Sequence, residues 1–394
     1  MRAYLAVLFG ASEDAAFTCP DRNFAQRRLD AGIHRSRILM PSMALPFHCS
    51  RDAISTFVQR NSMKRVEIQT YGPAEQVARC VDVADVGPPG AGEAVLEVLA
   101  FPINPADIGF CRGTYVLRPP LPATPGAECV GRILAVGTAV SSLAPGDLVI
   151  NLQRENWAQK RRVPVESLIR LPPGIDIRQA AMLRINPPTA RLMLTDLAPL
   201  QPDDWVLQNA ANSAVGRQLI VLARTRGLRT INVVRSPDLF EELAVLGADV
   251  CLLDGPELPA QVRSALSGAA VRLAIDAVGG TATTRLAASV ADGGTVCHYG
   301  AMSGEYPVVA NGDLIFRGIT LMGFMLGRAL AKRASEDVRG IYGELAEMIV
   351  RGRLFAPVER VYPIEEIGDA LEHAQRTRPR RPRGKILVAP NGLV

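Results

Sequence analysis

Histidine, lysine and aromatic side chains are scarce in this chain of 394 residues. It contains four histidines, four lysines among 44 basic residues, and only 5% aromatic residues. With so few histidines, metal centres and serine-histidine-aspartate catalysis have few residues to draw on. A nucleic-acid-binding protein concentrates its cations on one face and places aromatic side chains among them, whereas the 40 arginines here are spread along the chain. We therefore expect no nucleic-acid partner.

Long apolar runs and paired cysteines are also missing. A membrane-spanning helix needs about 20 consecutive apolar residues, and no run in this sequence approaches that length. We therefore expect no membrane association. The seven cysteines are scattered and form no C-x-x-C pair, which is typical of free thiols in a reducing compartment.

The composition that is present predicts a folded protein with more than one domain. Apolar residues make up 48% of the chain, and its length exceeds what one ordinary hydrophobic core accommodates. Residues 1–62 show no clean periodicity, and we expect them to be a poorly ordered extension. An organelle-targeting segment is the alternative, which the acidic residues of this stretch disfavour. From residue 63 to 185, short apolar runs broken by glycine and proline predict a β-rich domain.

Alternating strands and helices characterise the stretch from residue 186 to 324. This pattern predicts an α/β fold with a doubly wound parallel sheet. A further helix and a final apolar run follow in residues 325–394, which we interpret as a return to the β-rich domain. The predicted architecture is therefore two domains, of which the first is discontinuous.

A candidate nucleotide site lies in the turn after the apolar run 204–208. The turn contains Asn212, Ser213 and Ala214, and an amphipathic helix starts near Val215. The N-terminus of such a helix can bind a pyrophosphate. Only Gly216 remains of a G-x-G-x-x-G loop, so the glycine pattern alone leaves a plain buried βαβ crossover as an alternative.

Arg235 indicates which of the two nicotinamide coenzymes, NADPH or NADH, the nucleotide site prefers. It lies 19 positions after Gly216, at the end of the next predicted strand, where NAD-binding proteins place an acidic residue. A carboxylate there would repel a 2′-phosphate, whereas a guanidinium can bind it with two hydrogen bonds. The sequence therefore predicts NADPH rather than NADH, although a solvated arginine at a strand end is the alternative.

Eight motifs follow one another along the chain: INPAD (103–107) with GTY (113–115), PGAE (125–128), PGD (145–147), NPPTA (186–190), QNAANS (208–213), NVVR (232–235), YGAM (299–302) and GKIL (384–387). In this order they resemble the medium-chain dehydrogenase/reductase superfamily, and within it the mitochondrial-type NADPH-dependent 2-enoyl thioester reductases. The resemblance implies a GroES-like catalytic domain joined to a Rossmann-type domain. It also implies a trans-2-enoyl-CoA or acyl-carrier-protein substrate and a role in fatty acid metabolism.

The resemblance also separates this chain from the zinc alcohol dehydrogenases of the same superfamily. Those enzymes carry cysteine and histidine at the positions of Asn104 and Ala127, and neither of these two residues can supply the ligand that catalytic zinc needs. We therefore expect no zinc.

By the same resemblance, Tyr115 is the expected catalytic tyrosine. Hydride addition to the β-carbon of an enoyl thioester leaves an enolate, and a phenol can stabilise or protonate it. An exposed loop tyrosine is the alternative. Asn104 is expected to orient the nicotinamide or the substrate carbonyl.

The remaining implied contacts are with the cofactor. They are Asn186, Asn212, Ser213, Ala214, Val215, Gly216, Arg235, Ser236, Pro237, Tyr299, Gly300, Ala301, Met302, Phe324, Met325, Leu326 and Lys385.

Two other functions stay open from the sequence. One is a zinc-independent quinone or enone oxidoreductase of the same superfamily, and the other is an NADPH-binding redox sensor without turnover. By analogy with such folds we expect a homodimer. We expect a cytoplasmic location in a bacterium, or a mitochondrial one in a eukaryote.

Overall fold

The computed structural model describes residues 62–376 and 383–392, so the predicted extension lies outside it except for Ser62. The strands in these ranges are β1 (Ser62–Ile68), β2 (Ala78–Ala84), β3 (Glu93–Pro102), β4 (Val130–Val136), β5 (Leu148–Asn151), β6 (Lys160–Pro164), β7 (Leu168–Arg170), β8 (Trp205–Gln208), β9 (Arg229–Val234), β10 (Val250–Leu253), β11 (Val271–Asp276), β12 (Thr295–His298), β13 (Thr320–Gly323), β14 (Val358–Pro363) and β15 (Lys385–Ala389).

Helices connect most of these strands. They are α1 (Ala74–Val77), α2 (Pro105–Arg112), α3 (Ile177–Ala180), α4 (Asn186–Asp196), α5 (Ala214–Thr225), α6 (Phe240–Leu246), α7 (Leu258–Leu266), α8 (Thr281–Ala287), α9 (Asn311–Ile315), α10 (Leu326–Leu330), α11 (Ser335–Val350) and α12 (Ile367–Gln375). Short 3₁₀ helices lie at Val165–Ser167, Pro237–Leu239 and Ile364–Glu366.

A mixed sheet of seven strands forms the β-rich part. Its order is β14-β15-β3-β4-β5-β7, and β6 pairs with β3 as well. The pairs are antiparallel except for β14 with β15, which run parallel. The last strand of the chain therefore lies inside the sheet, between β14 and β3. The return of the final segment to the β-rich sheet agrees with the predicted discontinuous arrangement, while the domain boundaries stay predictions.

A parallel sheet of six strands forms the second part, in the order β10-β9-β8-β11-β12-β13. Strand β8 lies near its centre, and the chain crosses over on both sides of it. This is the doubly wound α/β architecture that the sequence predicts.

The unit β8-α5-β9 shows why the local sequence folds this way. The hydroxyl of Ser213 caps α5 by accepting a hydrogen bond from the Gly216 backbone N–H at 3.1 Å. Val215 and Leu219 are buried on the inner face of the helix. A Cβ atom at Gly216 would lie 2.5 Å from the carbonyl oxygen of Ala211, so this position requires glycine for close packing. The predicted amphipathic helix is confirmed.

Buried apolar side chains join the two sheets. One cluster contains Leu99 and Ile150 of the β-rich sheet, Leu192 of α4, Val206 of β8 and Tyr342 of α11. A second core lies within the β-rich part, where the rings of Phe101 and Trp157 stack with centroids 5.5 Å apart. Helix α4 therefore contributes to the cluster that joins the two sheets, and the backbone N–H of Ile185, just before it, donates to Glu128 Oε2 at 3.0 Å.

Candidate active site

Tyr115 lies in the turn that follows α2. Gly113 ends the helix with φ of +69°, and the Tyr115 backbone N–H donates to the carbonyl oxygen of Gly109 at 3.1 Å. The side chain is half-buried, and the Arg154 guanidinium carbon lies 5.3 Å from its ring centroid. The Nη2 atom of Arg154 is buried and has no hydrogen-bond partner among the described residues. The phenol therefore has a cation beside it with an unused donor.

Asn104 lies at the other end of α2, immediately before its first residue. Its backbone N–H donates to Asp107 Oδ2 at 3.0 Å, which fixes the start of the helix. Its buried side chain has two partners: Nδ2 donates to Glu128 Oε1 at 2.7 Å, and Oδ1 accepts from the Lys385 ammonium. The structure thus brings together Asn104 and Lys385, two predicted site residues 281 positions apart.

Glu128 and Asp107 place two carboxyl groups in this buried cluster. Glu128 Oε2 accepts from the Ile185 backbone N–H at 3.0 Å, and Asp107 Oδ1 accepts from that of Ala127 at 2.9 Å. Burial raises the pKa of Glu128 to about 7, although Lys385 and the Asn104 hydrogen bond oppose this rise. Burial also raises the pKa of Asp107 and lowers that of Lys385.

Asp276 organises a second buried cluster at the carboxyl end of the parallel sheet. Its Oδ1 accepts from Asn209 Nδ2 at 2.6 Å and from two backbone N–H groups, those of Val278 at 2.9 Å and Gly279 at 3.1 Å. Its Oδ2 accepts from Thr283 Oγ1 at 2.6 Å and lies 2.9 Å from His298 Nδ1. Burial favours a higher pKa for Asp276, but these hydrogen bonds outweigh it and hold the pKa below its usual value.

The predicted coenzyme residues of the loops lie around Asp276. Tyr299 follows β12 and is half-buried, with its hydroxyl near Ser213 at the start of α5, and burial raises the pKa of this hydroxyl. Gly300 lies against Ala277, whose carbonyl oxygen would be 3.1 Å from a Cβ atom at that glycine. Phe324 follows β13, and its N–H donates to the His298 carbonyl oxygen at 3.0 Å. Tyr299 therefore lies near both the start of α5 and the end of β11, whose Asp276 carbonyl oxygen accepts from its backbone N–H at 3.0 Å.

The other predicted residues of this edge are more open to solvent. Ala301, Met302 and Met325 are exposed, whereas Leu326 is half-buried. After β9, Arg235 and Pro237 are exposed, and the buried Ser236 hydroxyl donates to Asp238 Oδ2 at 3.0 Å.

Two of the predicted cofactor contacts carry unused hydrogen-bond donors. Asn186 begins α4, and its Nδ2 is buried without a hydrogen-bond partner among residues 62–376 and 383–392. Arg235 forms no ion pair within the described part of the chain. A buried amide with an unused donor usually marks a missing partner, so Asn186 fits a ligand with an acceptor oxygen.

Three contributing residues were not singled out from the sequence. Asp276 follows the apolar residues 273–275 and ends β11 of the parallel sheet, and polar residues at such carboxyl ends line the ligand crevice, so this signal could have identified it. Glu128 lies within a quoted motif but had no assigned role. Arg154 lies in a loop without any motif, and the sequence gives no signal for it.

Among the described residues, no group of three or more histidine, cysteine, aspartate and glutamate side chains could hold a metal ion. None of the helices in these ranges is long and apolar enough to cross a bilayer.

Comparison with protein families gives two matches in chain order. Residues 90–168 match the alcohol dehydrogenase GroES-like domain, and residues 214–346 match the zinc-binding dehydrogenase family. The human protein named mitochondrial enoyl-acyl-carrier-protein reductase is 36% identical over 338 residues, which cover 83% of this chain and 90% of the human one.

Two solved structures share the fold along the same length. A putative NADPH:quinone reductase from Bacillus thuringiensis superposes with a TM-score of 0.77 and 27% identity, covering 83% of this chain and 99% of that one. The second is Etr1p of Candida tropicalis, a mitochondrial 2-enoyl thioester reductase. It was solved with NADP and crotonyl-CoA, and also as a heterodimer with Etr2p. It superposes with a TM-score of 0.74 and 26% identity, covering 83% of this chain and 99% of that one.

Proposed function

Since this chain belongs to the mitochondrial enoyl-acyl-carrier-protein reductase family of the medium-chain dehydrogenase/reductase superfamily, we propose that it uses NADPH to reduce the C=C bond of a trans-2-enoyl thioester. The observation that carries the proposal is the 36% identity to the human reductase, which extends over 90% of that protein. The acyl group is attached to coenzyme A or to an acyl carrier protein.

The residues at the site fit NADPH. The capped N-terminus of α5 offers backbone N–H groups to a pyrophosphate, and Gly216 allows close packing there. Asn186 Nδ2 is a buried donor that lacks a protein partner in the described ranges and suits a carboxamide or ribose oxygen. The exposed Arg235 suits the 2′-phosphate. When bound, NADPH supplies the hydride for the reaction.

The protein groups act on the thioester end of the substrate. Hydride addition at Cβ moves the π electrons of the C=C bond onto Cα and the carbonyl oxygen, which gives an enolate. Tyr115 donates its hydroxyl proton to the enolate, and solvent returns a proton to the phenolate. Arg154, whose guanidinium lies beside the Tyr115 ring, stabilises the negative charge as it forms. The saturated thioester results.

Zinc has no part in the proposed reaction. Asn104 binds Lys385 and Glu128 through its side chain, and Ala127 offers no ligand atom. The donor set is therefore amide, ammonium and carboxyl, which differs from the thiolates and imidazoles typical of catalytic zinc.

Reduction of a quinone is the second candidate function. It is favoured by the superposition on the Bacillus thuringiensis protein, which has the higher TM-score of the two structures. The cofactor residues are the same in both functions, and only the part of the substrate near Tyr115 differs.

A kinetic comparison of the protein with its Tyr115→Phe variant tests the proposal. NADPH oxidation is measured with a short trans-2-enoyl-CoA and with a simple quinone, and NADH replaces NADPH in a parallel series. We expect NADPH-dependent reduction of the thioester, and we expect kcat to fall by about 10²-fold or more in the variant because its proton donor is removed. Turnover of the quinone alone, equal in both proteins, would contradict the thioester assignment. NADPH binding without turnover of either substrate would support a redox sensor.

We also propose a homodimer, with the second copy covering the edge of the parallel sheet at β13. Large apolar side chains just before this strand are exposed, among them Tyr306 at 91% and Phe316 at 85%. Strand β13 pairs only with β12 in the described part of the chain, so its other edge offers backbone groups to a second strand. Light scattering at the assay concentration checks this, and a mass near 42 kDa would contradict it.

A further inference from the structure

One buried carboxyl group connects three residues of the candidate cofactor site. Glu128 Oε1 accepts from Asn104 Nδ2 at 2.7 Å, and Oε2 accepts at 3.0 Å from the backbone N–H of Ile185, the residue before Asn186. Asn104 in turn accepts a hydrogen bond from the Lys385 ammonium. Glu128 is 1% exposed and therefore acts within the protein rather than on bulk solvent.

The hydrogen bonds of this chain have a fixed direction. An ammonium group can only donate, so Lys385 requires the oxygen of the Asn104 amide to face it. The amide nitrogen must then face Glu128, and Oε1 has to accept. Because Oε2 also accepts from the main chain, both carboxyl oxygens act as acceptors, and the arrangement favours the ionised form of Glu128.

We infer that Glu128 is a positioning residue that holds Asn104, Lys385 and the N-terminus of α4 in their NADPH-binding arrangement, and that releases this arrangement when it takes up a proton. The inference rests on the proposed function, since it concerns the same cofactor site. Glu128 itself does not touch the cofactor in this proposal.

Protonation would reverse the amide of Asn104. A proton on Oε1 makes it a donor, and the best acceptor facing it is then Asn104 Oδ1 after rotation of the amide. The amide nitrogen would then face Lys385, where two donors oppose each other. Lys385 would lose its acceptor and, in the same step, the negative charge of Glu128 that helps to keep it protonated.

The charges around Glu128 place this change near neutral pH. Burial raises its pKa to about 7. Three groups favour the ionised form: Lys385 on β15, the amide of Asn104, and Arg184 from the segment before α4. Asp107 on α2 favours the protonated form. Arg154 in turn faces Asp107 and favours its ionised state.

Direct titration of NADPH binding tests the inference without any turnover. The dissociation constant is measured from the fluorescence of the reduced nicotinamide at pH 8 and pH 6, for the unmutated protein and for Glu128→Gln. We expect the unmutated protein to bind about tenfold more weakly at pH 6, because the buried Asn104–Lys385 contact is lost. The glutamine variant carries a donor at the same position, so we expect it to bind about tenfold more weakly already at pH 8 and to lose at pH 6 only the affinity that titration of the 2′-phosphate removes.

Two controls separate Glu128 from other causes. The 2′-phosphate of NADPH also titrates, with a second pKa of about 6, but it does so in both proteins and cancels in their ratio. Glu344→Gln, at a surface ion pair with Arg191, should leave the pH dependence unchanged. Equal affinities of Glu128→Gln and the unmutated protein at both pH values would overturn the inference.

The outcomes distinguish this inference from the proposed function. If the thioester is not reduced but NADPH binds with the expected pH profile, the inference stands and only the substrate assignment fails. If the unmutated protein binds NADPH equally well at pH 6 and pH 8, after allowance for the 2′-phosphate, the inference fails while the reductase proposal stands. That second measurement needs no variant and remains decisive if Glu128→Gln does not fold.

Discussion

Asp276 and Glu128 are both buried carboxyl groups at the candidate site, yet their surroundings move their pKa values in opposite directions. Asp276 lies at the end of β11 and faces five polar partners, which hold its pKa low despite burial. Glu128 lies before β4 and receives two hydrogen bonds, and burial raises its pKa to about 7.

The difference shows that the number of hydrogen-bond donors, rather than the degree of burial, decides the charge state of these two carboxyl groups. Both side chains are almost completely buried, so desolvation favours the neutral form in each. Three polar side chains and two backbone N–H groups surround Asp276, and this number is enough to keep it ionised. Glu128 has a cation nearby but fewer direct donors. The first carboxylate is therefore a permanent part of the scaffold, whereas the second can change state near neutral pH.

The largest expected effect is on the Asp276 cluster. Asp276→Ala should lower the free energy of unfolding by about 4 kcal/mol, because the donors that converge on the carboxylate lose a buried acceptor. Asp276→Asn should cost only about 1 kcal/mol, since its oxygen can accept from Asn209 while its amide donates to Thr283 or His298. Urea unfolding at pH 8 measures both.

A surface carboxylate provides the matched control for this pair. Asp292, which is 77% exposed and pairs with Arg317, should change the free energy of unfolding by less than about 0.5 kcal/mol when replaced by alanine. If Asp276→Ala were as mild as Asp292→Ala, the hydrogen bonds of Asp276 would not stabilise the fold, and the contrast with Glu128 would disappear.

Replacement of Glu128 is expected to change the free energy of unfolding less than replacement of Asp276. The contribution of Glu128 to stability also depends on pH with the opposite sign. Glu128→Gln should change the free energy of unfolding by about 1 kcal/mol or less at pH 8, because a costly buried charge is removed together with one hydrogen bond. The folded protein holds a proton on Glu128 up to about pH 7, whereas the unfolded chain releases it near the ordinary value of 4.5. The unmutated protein should therefore gain stability relative to the variant as the pH falls from 8 to 5.

Asp276 provides the reference for that pH series. Because its folded pKa lies below the ordinary 3.8, its contribution is complete above that value and is lost only as the pH falls through the folded pKa. The stability difference between Asp276→Ala and the unmutated protein should therefore stay constant from pH 8 to pH 5. Parallel curves for Glu128→Gln over this range would show that Glu128 does not titrate there.

Much of the fold could be predicted because its signals are local. An apolar run, a turn of small residues and an amphipathic spacing predict the unit β8-α5-β9. The structure places these elements within a few residues of the prediction. Strands β10 and β13 form the two edges of the parallel sheet and are each only four residues long. An apolar run as short as Val250–Leu253 does not by itself distinguish a strand from a short helical segment.

The candidate site was predictable as residue types but not as contacts. Asn104 and Lys385 were both named, yet their hydrogen bond depends on β15 entering the sheet next to β3, which no local pattern encodes. The roles of Asp276 and Glu128 likewise depend on donors that other elements bring to them. The predicted contacts of Tyr115 and of the cofactor residues stay predictions until a ligand is bound.

Strand β15 has a consequence for how the protein is synthesised. It lies between β14 and β3 and carries Lys385 as its first residue. Until the ribosome has released this strand, the end of β3 at Phe101 and Pro102 has an unpaired edge, and the buried amide of Asn104 has no ammonium partner. A nascent or truncated chain that lacks β15 therefore cannot complete the cluster around Asn104. Activity at this site would thus report that translation has passed residue 385.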